Sequence, residues 1–382
     1  MASAKDPFSF SSPERNGGAA PVVVWNVTNS CNMSCPHCYS SAVKGRSEYG
    51  LCLADLKSIG IRLEEAGVRV VILSGGEPLL RNDVEELAVF LKGRRISCHL
   101  STNGVLLTPE RARSLRDAGI VYAGVSVDGL PDFNDRYRGL RGAFERALGG
   151  IENARQVGMR TGMRMTLTSS NAAHLDALLE LAETHGVDRF YLSHLVYGGR
   201  AVDMMADDVK PEECGFRIEG FFATALDLLR RQSGLKLVSG GNDADGPALY
   251  SFVKTHLGDE AASVVWQALL RRGGNSAGEK IINVDHKGAV HPDQFWRGTA
   301  SGNLLELPLA EIMSRPLFAD LRQRETLLTG RCARCRYLSV CRGSHRERAL
   351  AAGGSIWGDD PSCYLTEEDI ATESPSLMEA KR

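Results

Sequence analysis

The chain has 382 residues, 43% of them hydrophobic, and a formal net charge of −2, enough apolar mass for one large domain and a smaller one. The near-balanced charge excludes a general polyanion binder, so no nucleic-acid partner is expected. No apolar run reaches the roughly 18 residues of a membrane span and the N-terminal stretch has no apolar signal-peptide core, so no membrane association and a cytoplasmic location are expected.

Residues 1–20, rich in Ser, Gly, Ala and Pro, read as a flexible leader. A β-branched run, Val22–Asn26, follows, and then Cys31-Asn32-Met33-Ser34-Cys35-Pro36-His37-Cys38. A 4Fe-4S cluster that only carries electrons is normally held by four thiolates. Three at this spacing leave one iron for a cofactor or substrate. A zinc site with a distant fourth ligand, or with His37 recruited, is the alternative, and the downstream motifs do not suit it. Further strand-like runs span Val68–Leu73, Ile96–Ser101, Tyr122–Val127, Thr161–Leu167 and Arg189–Leu195, separated by segments of helical period such as Leu53–Ala66 and Ala143–Val157. Units of about 30 residues predict parallel strands with function at their C-terminal ends. The expected fold is α/β, a partial (β/α)6 barrel over 21–205, with a complete eight-unit barrel as the alternative.

The strand ends carry polar groups. After the second comes Ser74-Gly75-Gly76-Glu77-Pro78, where two glycines let backbone pass close to a ligand and the carboxylate can accept from a cationic amine. Ser126 and Asp128 end the fourth strand, suited to ribose hydroxyls or substrate, with turn capping equally open. Arg164 alternates with Met163 and Met165 on the fifth; it needs an anionic partner if it points inward, or a helix carboxylate if outward. His194, Tyr197 and Arg200 follow the sixth, with a core role for His194 as open as a functional one.

Residues 206–280 read as a helical linker region, 281–365 as a smaller α+β unit opening on a hairpin at Ile281–Pro292, and 366–382 as a loose acidic tail. Of the 10 cysteines, Cys332, Cys335, Cys341 and Cys363 form a second group, enough thiolates to close a 4Fe-4S cluster or to hold zinc. Cys52, Cys98 and Cys214 read as small buried apolar side chains.

Together the cysteine triad and the Gly-Gly-Glu-Pro run resemble the radical S-adenosylmethionine (SAM) superfamily across roughly Val22–Arg200, and the C-terminal cysteines resemble its SPASM or shorter Twitch extension. The resemblance implies that Cys31, Cys35 and Cys38 hold a 4Fe-4S cluster whose open iron binds SAM. Gly75, Gly76, Glu77, Pro78, Ser126, Asp128 and Arg164 would surround the SAM, Glu77 toward its ammonium and Arg164 toward its carboxylate. One-electron reduction would yield a 5'-deoxyadenosyl radical that abstracts hydrogen from substrate. Cys332, Cys335, Cys341 and Cys363 would hold an auxiliary 4Fe-4S cluster. The full SPASM pattern has a cysteine where this chain has His345, so one auxiliary cluster is expected, unless His345 joins its ligands.

The runs Asn242–Gly246, Gly273–Ser276, His291–Trp296 and Asp360–Tyr364, with Ser193–Tyr197, resemble the heme d1 biosynthesis branch of the superfamily, from about Val22 to Tyr364. That resemblance implies an iron tetrapyrrole substrate, didecarboxysiroheme, which loses two propionates replaced by oxo groups. It also implies an electron donor such as flavodoxin or ferredoxin, and other heme d1 pathway proteins as partners. Arg136, Arg138, Arg141, Arg200 and Arg297 are the candidate cations for substrate carboxylates, each with surface solvation as its alternative. His194, His286 and His291 are candidates for the substrate iron, His291 favoured, with Phe295 and Trp296 packing on the macrocycle; His291, His194 and Tyr197 are the catalytic candidates. The competing functions are a siroheme deacetylase or coproheme decarboxylase, a peptide-modifying SPASM maturase, and a non-catalytic Fe-S electron carrier.

Overall fold

The computed structural model describes residues 20–45 and 50–371. The leader expected over 1–20, except for its last residue, and the tail beyond 371 lie outside the described residues. The expected β-branched runs become strands: β1 (Val22–Asn26), then, past the short β2 (Ser30–Cys31) and β3 (Val43–Lys44) in the cysteine loop, β4 (Val70–Ser74), β5 (Ser97–Thr102), β6 (Ile120–Ser126), β7 (Arg160–Leu167) and β8 (Arg189–His194). They pair parallel in the order β1-β4-β5-β6-β7-β8.

The two-residue period sorts their side chains. Val125, Met163, Met165, Phe190 and Leu192 join α5 (Ala143–Gln156), α6 (Leu175–Thr184) and α7 (Pro211–Arg230) in one core. Val23, Trp25, Val71, Leu73 and Leu100 join α1 (Leu53–Glu65), α2 (Val84–Gly93) and α3 (Pro109–Ala118) in another. Fully burying a side chain such as Leu56 contributes about 1.5–3 kcal/mol. Residues of the opposite parity, among them Gly124, Arg164 and Tyr191, face the interior of the curved sheet.

The sheet is larger than six strands. The stretch read as a helical linker contains α7, α8 (Asp245–Leu257) and α9 (Asp259–Arg272), but also β9 (Lys236–Gly240), which pairs parallel with β8. Lys236-Leu237-Val238-Ser239-Gly240 offers too short an apolar run to declare itself. The Ile281–Pro292 hairpin, placed by sequence in the smaller unit, also joins this sheet: β10 (Ile281–Val284) pairs parallel with β1, and β11 (Val290–His291) pairs antiparallel with β10. The strand order β11-β10-β1-β4-β5-β6-β7-β8-β9 ends at β11 and β9, which do not pair with each other, so the eight parallel strands stay open and the closed barrel is not formed.

Residues 309–371 wrap this frame as short helices, held by buried arginines. Arg348 donates to Asp360 Oδ1 at 2.9 Å and to the Leu195 carbonyl beyond β8 at 3.0 Å. Arg324 donates to Asn275 Oδ1 at 2.7 Å, and Arg342 pairs with Glu279 and Glu325. Among the described residues no helix is long and apolar enough to cross a membrane.

Candidate active site

The first cysteine loop leaves β1 at the C-terminal mouth of the sheet. Cys31, Cys35 and Cys38 are half-buried free thiols. Burial, with the neighbouring thiols adding, pushes Cys31 up to about 12; burial pushes Cys35 up to about 11 against the opposing pull of Arg138. Thiols so placed need a cationic partner to ionise. Among the described residues no three His, Cys, Asp or Glu side chains gather tightly enough to ligate a single metal ion.

Neighbouring strand ends brace the loop. Arg200 donates to the Cys35 carbonyl at 2.7 Å from Nη2 and to the Ala42 carbonyl at 2.7 Å from Nη1. Asn103, beyond β5, donates to Asn32 Oδ1 at 2.7 Å. The Ser34 amide donates to the Arg138 carbonyl at 3.1 Å, at the end of α4 (Pro131–Arg138). His37 Nε2 lies 3.1 Å from Asp128 Oδ2, its ring stacked on Tyr137 at 4.9 Å, and Arg138 pairs with the same carboxylate. Asp128 is 1% exposed and also accepts from the Thr166 amide at 2.9 Å. Sequence reasoning offered Asp128 to a ribose and Arg138 and Arg200 to substrate. The structure turns all three toward the cysteine loop and its supports.

Gly75 and Gly76 run against the Thr28–Ser30 backbone that leads into this loop. The Gly76 amide donates to the Thr28 carbonyl at 2.9 Å and the Glu77 amide to the Ser30 carbonyl at 2.8 Å. A Cβ on Gly76 would stand 2.1 Å from the Ser30 oxygen, and one on Gly75, whose φ is +144°, 2.4 Å from the Thr28 oxygen. The close approach is therefore to the chain's own backbone. Glu77 is fully buried and accepts from Thr102 Oγ1 at 2.7 Å, the Asn103 amide at 2.8 Å and the Leu79 amide at 3.1 Å. Burial raises its pKa against those donors. Pro78 starts the turn Pro78–Leu80 that Glu77 caps. The carboxylate expected to face an ammonium thus fastens β4 to the end of β5.

Arg164 points inward, across Gly124, and donates to Ser101 Oγ at 2.7 Å; its neighbours Met163 and Met165 take the helix side. Ser126 stands half-buried on the same inner face. Arg136 and Arg141 are exposed on either side of the α4 C-terminus, and half-buried Arg297 donates to Asn283 Oδ1 at 3.4 Å.

Beyond β8, His194 Nε2 lies 3.0 Å from Asp245 Oδ2 and Nδ1 lies 3.7 Å from Cys214 Sγ. Burial alone would lower its pKa, but Asp245 lifts it to about 10. Tyr197 donates to Asp208 Oδ2 at 2.7 Å. His291, 3% exposed, places Nδ1 2.9 Å from the Thr299 carbonyl and Nε2 3.6 Å from Asp285 Oδ2. The structure does not bring His194, Tyr197 and His291 into one set; each is tied to its own local partners. His286 is half-buried in the turn before β11.

Cys332, Cys335, Cys341 and Cys363 line one cavity with Leu338, Leu365 and Ile370. His345 is not on that wall; its ring faces Asp293 and Phe295 instead. Of the lone cysteines, Cys98 and Cys214 are buried as expected, but Cys52 is exposed and caps α1 with Asp55.

A radical SAM superfamily model matches residues 25–182. Fe-coproporphyrin III synthase of Methanosarcina barkeri is 39% identical over 92% of this chain and 89% of its own length. The chain belongs to the radical SAM superfamily. Pre-heme d1 synthase of Dinoroseobacter shibae is 36% identical over 93% of this chain and 89% of its own. Among solved structures, native anSMEcpe with bound AdoMet superposes with a TM-score of 0.71 at 17% identity, over 94% of this chain and 98% of that one, which supports the fold.

Radical SAM membership implies a 4Fe-4S cluster and SAM, and the chain's residues fit them. Three unoxidised thiols, with Cys31 and Cys35 raised chiefly by burial, are a donor set that a polynuclear cation would ionise. The inward Arg164, with no carboxylate partner among the described residues, leaves a cation facing the same interior. Sequence reasoning missed the bracing of the loop by Asn103, His37 and Asp128. The His291–Trp296 run was its only pointer to the wall that His345 faces.

Proposed function

We propose that this radical SAM enzyme removes two carboxylate side chains from an iron tetrapyrrole, acting on didecarboxysiroheme and taking two propionates on the way to the dioxo heme d1 precursor. The similarity to pre-heme d1 synthase along nearly the whole chain carries this reading. The cluster and SAM, when bound, supply a 5'-deoxyadenosyl radical that takes a hydrogen atom from the substrate.

The chain's own residues hold and orient. Cys31, Cys35 and Cys38 are the thiolates of the SAM-binding cluster, with Arg164 and Ser126 turned toward the SAM. Glu77 and Asp128 act as positioning residues, one fixing the Gly-Gly turn and the other the cysteine loop. The four thiols of the C-terminal cavity hold an auxiliary 4Fe-4S cluster, a reading supported by their sharing one apolar-walled cavity. Its task is to accept an electron from the substrate radical. Exposed Arg136 and Arg141 remain suited to substrate carboxylates or to an acidic electron donor such as flavodoxin or ferredoxin. We place the enzyme in the cytoplasm, where thiols stay reduced.

A second reading has its own support. The 39% identity to Fe-coproporphyrin III synthase favours loss of two acetates from the same substrate. Anaerobic incubation of the reconstituted protein with SAM, a low-potential reductant and didecarboxysiroheme, followed by mass analysis, separates the two. Deoxyadenosine with a tetrapyrrole short of two propionates is the expected result. Loss of two acetates would transfer the protein to the second reading, and an unchanged tetrapyrrole would contradict both.

A further inference from the structure

Five of the buried polar atoms without a hydrogen-bond partner lie on two facing segments. On one are His291 Nε2, Gln294 Oε1 and Trp296 Nε1; on the other are His345 Nδ1 and Glu347 Oε2. The segments meet where His345 Nδ1 lies 3.8 Å from Asp293 Oδ2, and where Phe295 stands edge-on to the His345 ring with centroids 5.3 Å apart. Phe295 also packs at 5.7 Å against Tyr39, the neighbour of Cys38. His345 follows closely on Cys341. The seam therefore runs between the two cysteine groups. Each orphaned buried polar group costs about 1–3 kcal/mol, so five on facing segments make a wall suited to a ligand that satisfies them.

The imidazoles beside this region differ in what they can offer. His194 has Asp245 and Cys214 at its two nitrogens. His291 has the Thr299 carbonyl at Nδ1, while its Nε2 makes no hydrogen bond but faces the Asp285 carboxylate at 3.6 Å. His345 is 7% exposed, directs Nδ1 at a carboxylate, and has no hydrogen bond to Nε2 among the described residues. An imidazole whose Nδ1 faces a carboxylate leaves its Nε2 lone pair for a metal, and closing that 3.8 Å approach to a hydrogen bond on ligation would give the arrangement that metal-ligating histidines use.

We propose that His345 is the axial ligand to the iron of the bound tetrapyrrole, oriented by Asp293 and packed against Phe295, an assignment that rests on the tetrapyrrole reading above. It replaces His291, the residue that sequence favoured. Ferric didecarboxysiroheme titrated anaerobically into the cluster-loaded, full-length protein reports the ligand through its absorption and its EPR spin state.

The wild type is expected to show an imidazole-ligated spectrum. His345→Ala loses that spectrum and binds about 10-fold more weakly or worse, and added imidazole restores the signature. His291→Ala leaves it unchanged. Asp293→Asn retains a ligand but moves the spin equilibrium. The metal-free tetrapyrrole binds wild type and His345→Ala equally. If the alanine variant fails to hold its clusters, His345→Gln, which fills similar space, carries the same expectation. An unchanged spectrum in the His345 variant overturns the ligand and leaves the tetrapyrrole reading standing, as does an equal loss of affinity for the metal-free macrocycle. A wild type that binds no iron tetrapyrrole overturns both.

Discussion

Replacing Cys35 with alanine is expected to abolish deoxyadenosine formation, whereas replacing Cys332 and Cys335 together is expected to leave SAM cleavage in place and stop tetrapyrrole conversion. The two outcomes differ because the two thiol groups occupy different supports. Cys35 sits in a loop fixed by Arg200, Asn103 and the Ser34 amide, against the strand end that carries the Gly-Gly turn. Cys332 and Cys335 line a cavity built from the short C-terminal helices. All three side chains are half-buried rather than core, so their truncation removes little packing and the fold should survive. Iron content, deoxyadenosine yield and tetrapyrrole mass, read on the same samples, check the separation. Full conversion by the double variant would remove the redox role assigned to the second thiol group.

The second large effect is on stability. Asp128→Ala is expected to cost about 3–5 kcal/mol, because it leaves the Arg138 guanidinium buried without its carboxylate. It also frees His37 and the Thr166 amide. Since the Arg138 carbonyl holds the Ser34 amide, the cysteine loop should loosen and iron loading should fall with it. The pH dependence has a definite sign. Burial would raise the pKa of Asp128, but Arg138 and then His37 overcome that and hold it below the ordinary carboxylate value. A carboxylate depressed in the folded state contributes stability that is fully present above its unfolded pKa of about 3.9 and is lost as pH falls through the folded value. Thermal melts should therefore show wild type ahead of Asp128→Ala by a constant margin near neutral pH, with the margin shrinking below about pH 4. A margin independent of pH would contradict the ion-network account.

Much of the frame was legible because apolar periodicity and parallel pairing are local signals. β1 and β4 to β8 begin and end within a few residues of the β-branched runs that announced them. β9 was missed because its apolar content is two residues between Lys236 and Ser239, and its strand state is decided by pairing with β8. The hairpin at Ile281 was visible as a hairpin, but its seat beside β1 is a long-range choice that no local pattern encodes.

At the site, residue type was readable and partnership was not. Glu77 and Asp128 read as ligand-facing carboxylates because a sequence shows the acid without showing what satisfies it. The donors are Thr102 and Asn103 for one and Arg138 and His37 for the other. Arg324, Arg342 and Arg348 look like surface charge in sequence, and only the fold reveals them as 1% exposed or less. His345 was read against a cysteine pattern, as an extra cluster ligand, because its place beside Asp293 and Phe295 depends on a contact across about 50 positions of chain.

Deuterium in the tetrapyrrole side chains gives the most direct test of the central claim, that this chain directs a SAM-derived radical at a carboxylate side chain of an iron tetrapyrrole. Didecarboxysiroheme labelled in its propionates, turned over anaerobically with the cluster-loaded protein, is predicted to transfer deuterium into deoxyadenosine, and the acetate-labelled substrate is not. Unlabelled deoxyadenosine from both substrates would contradict the claim.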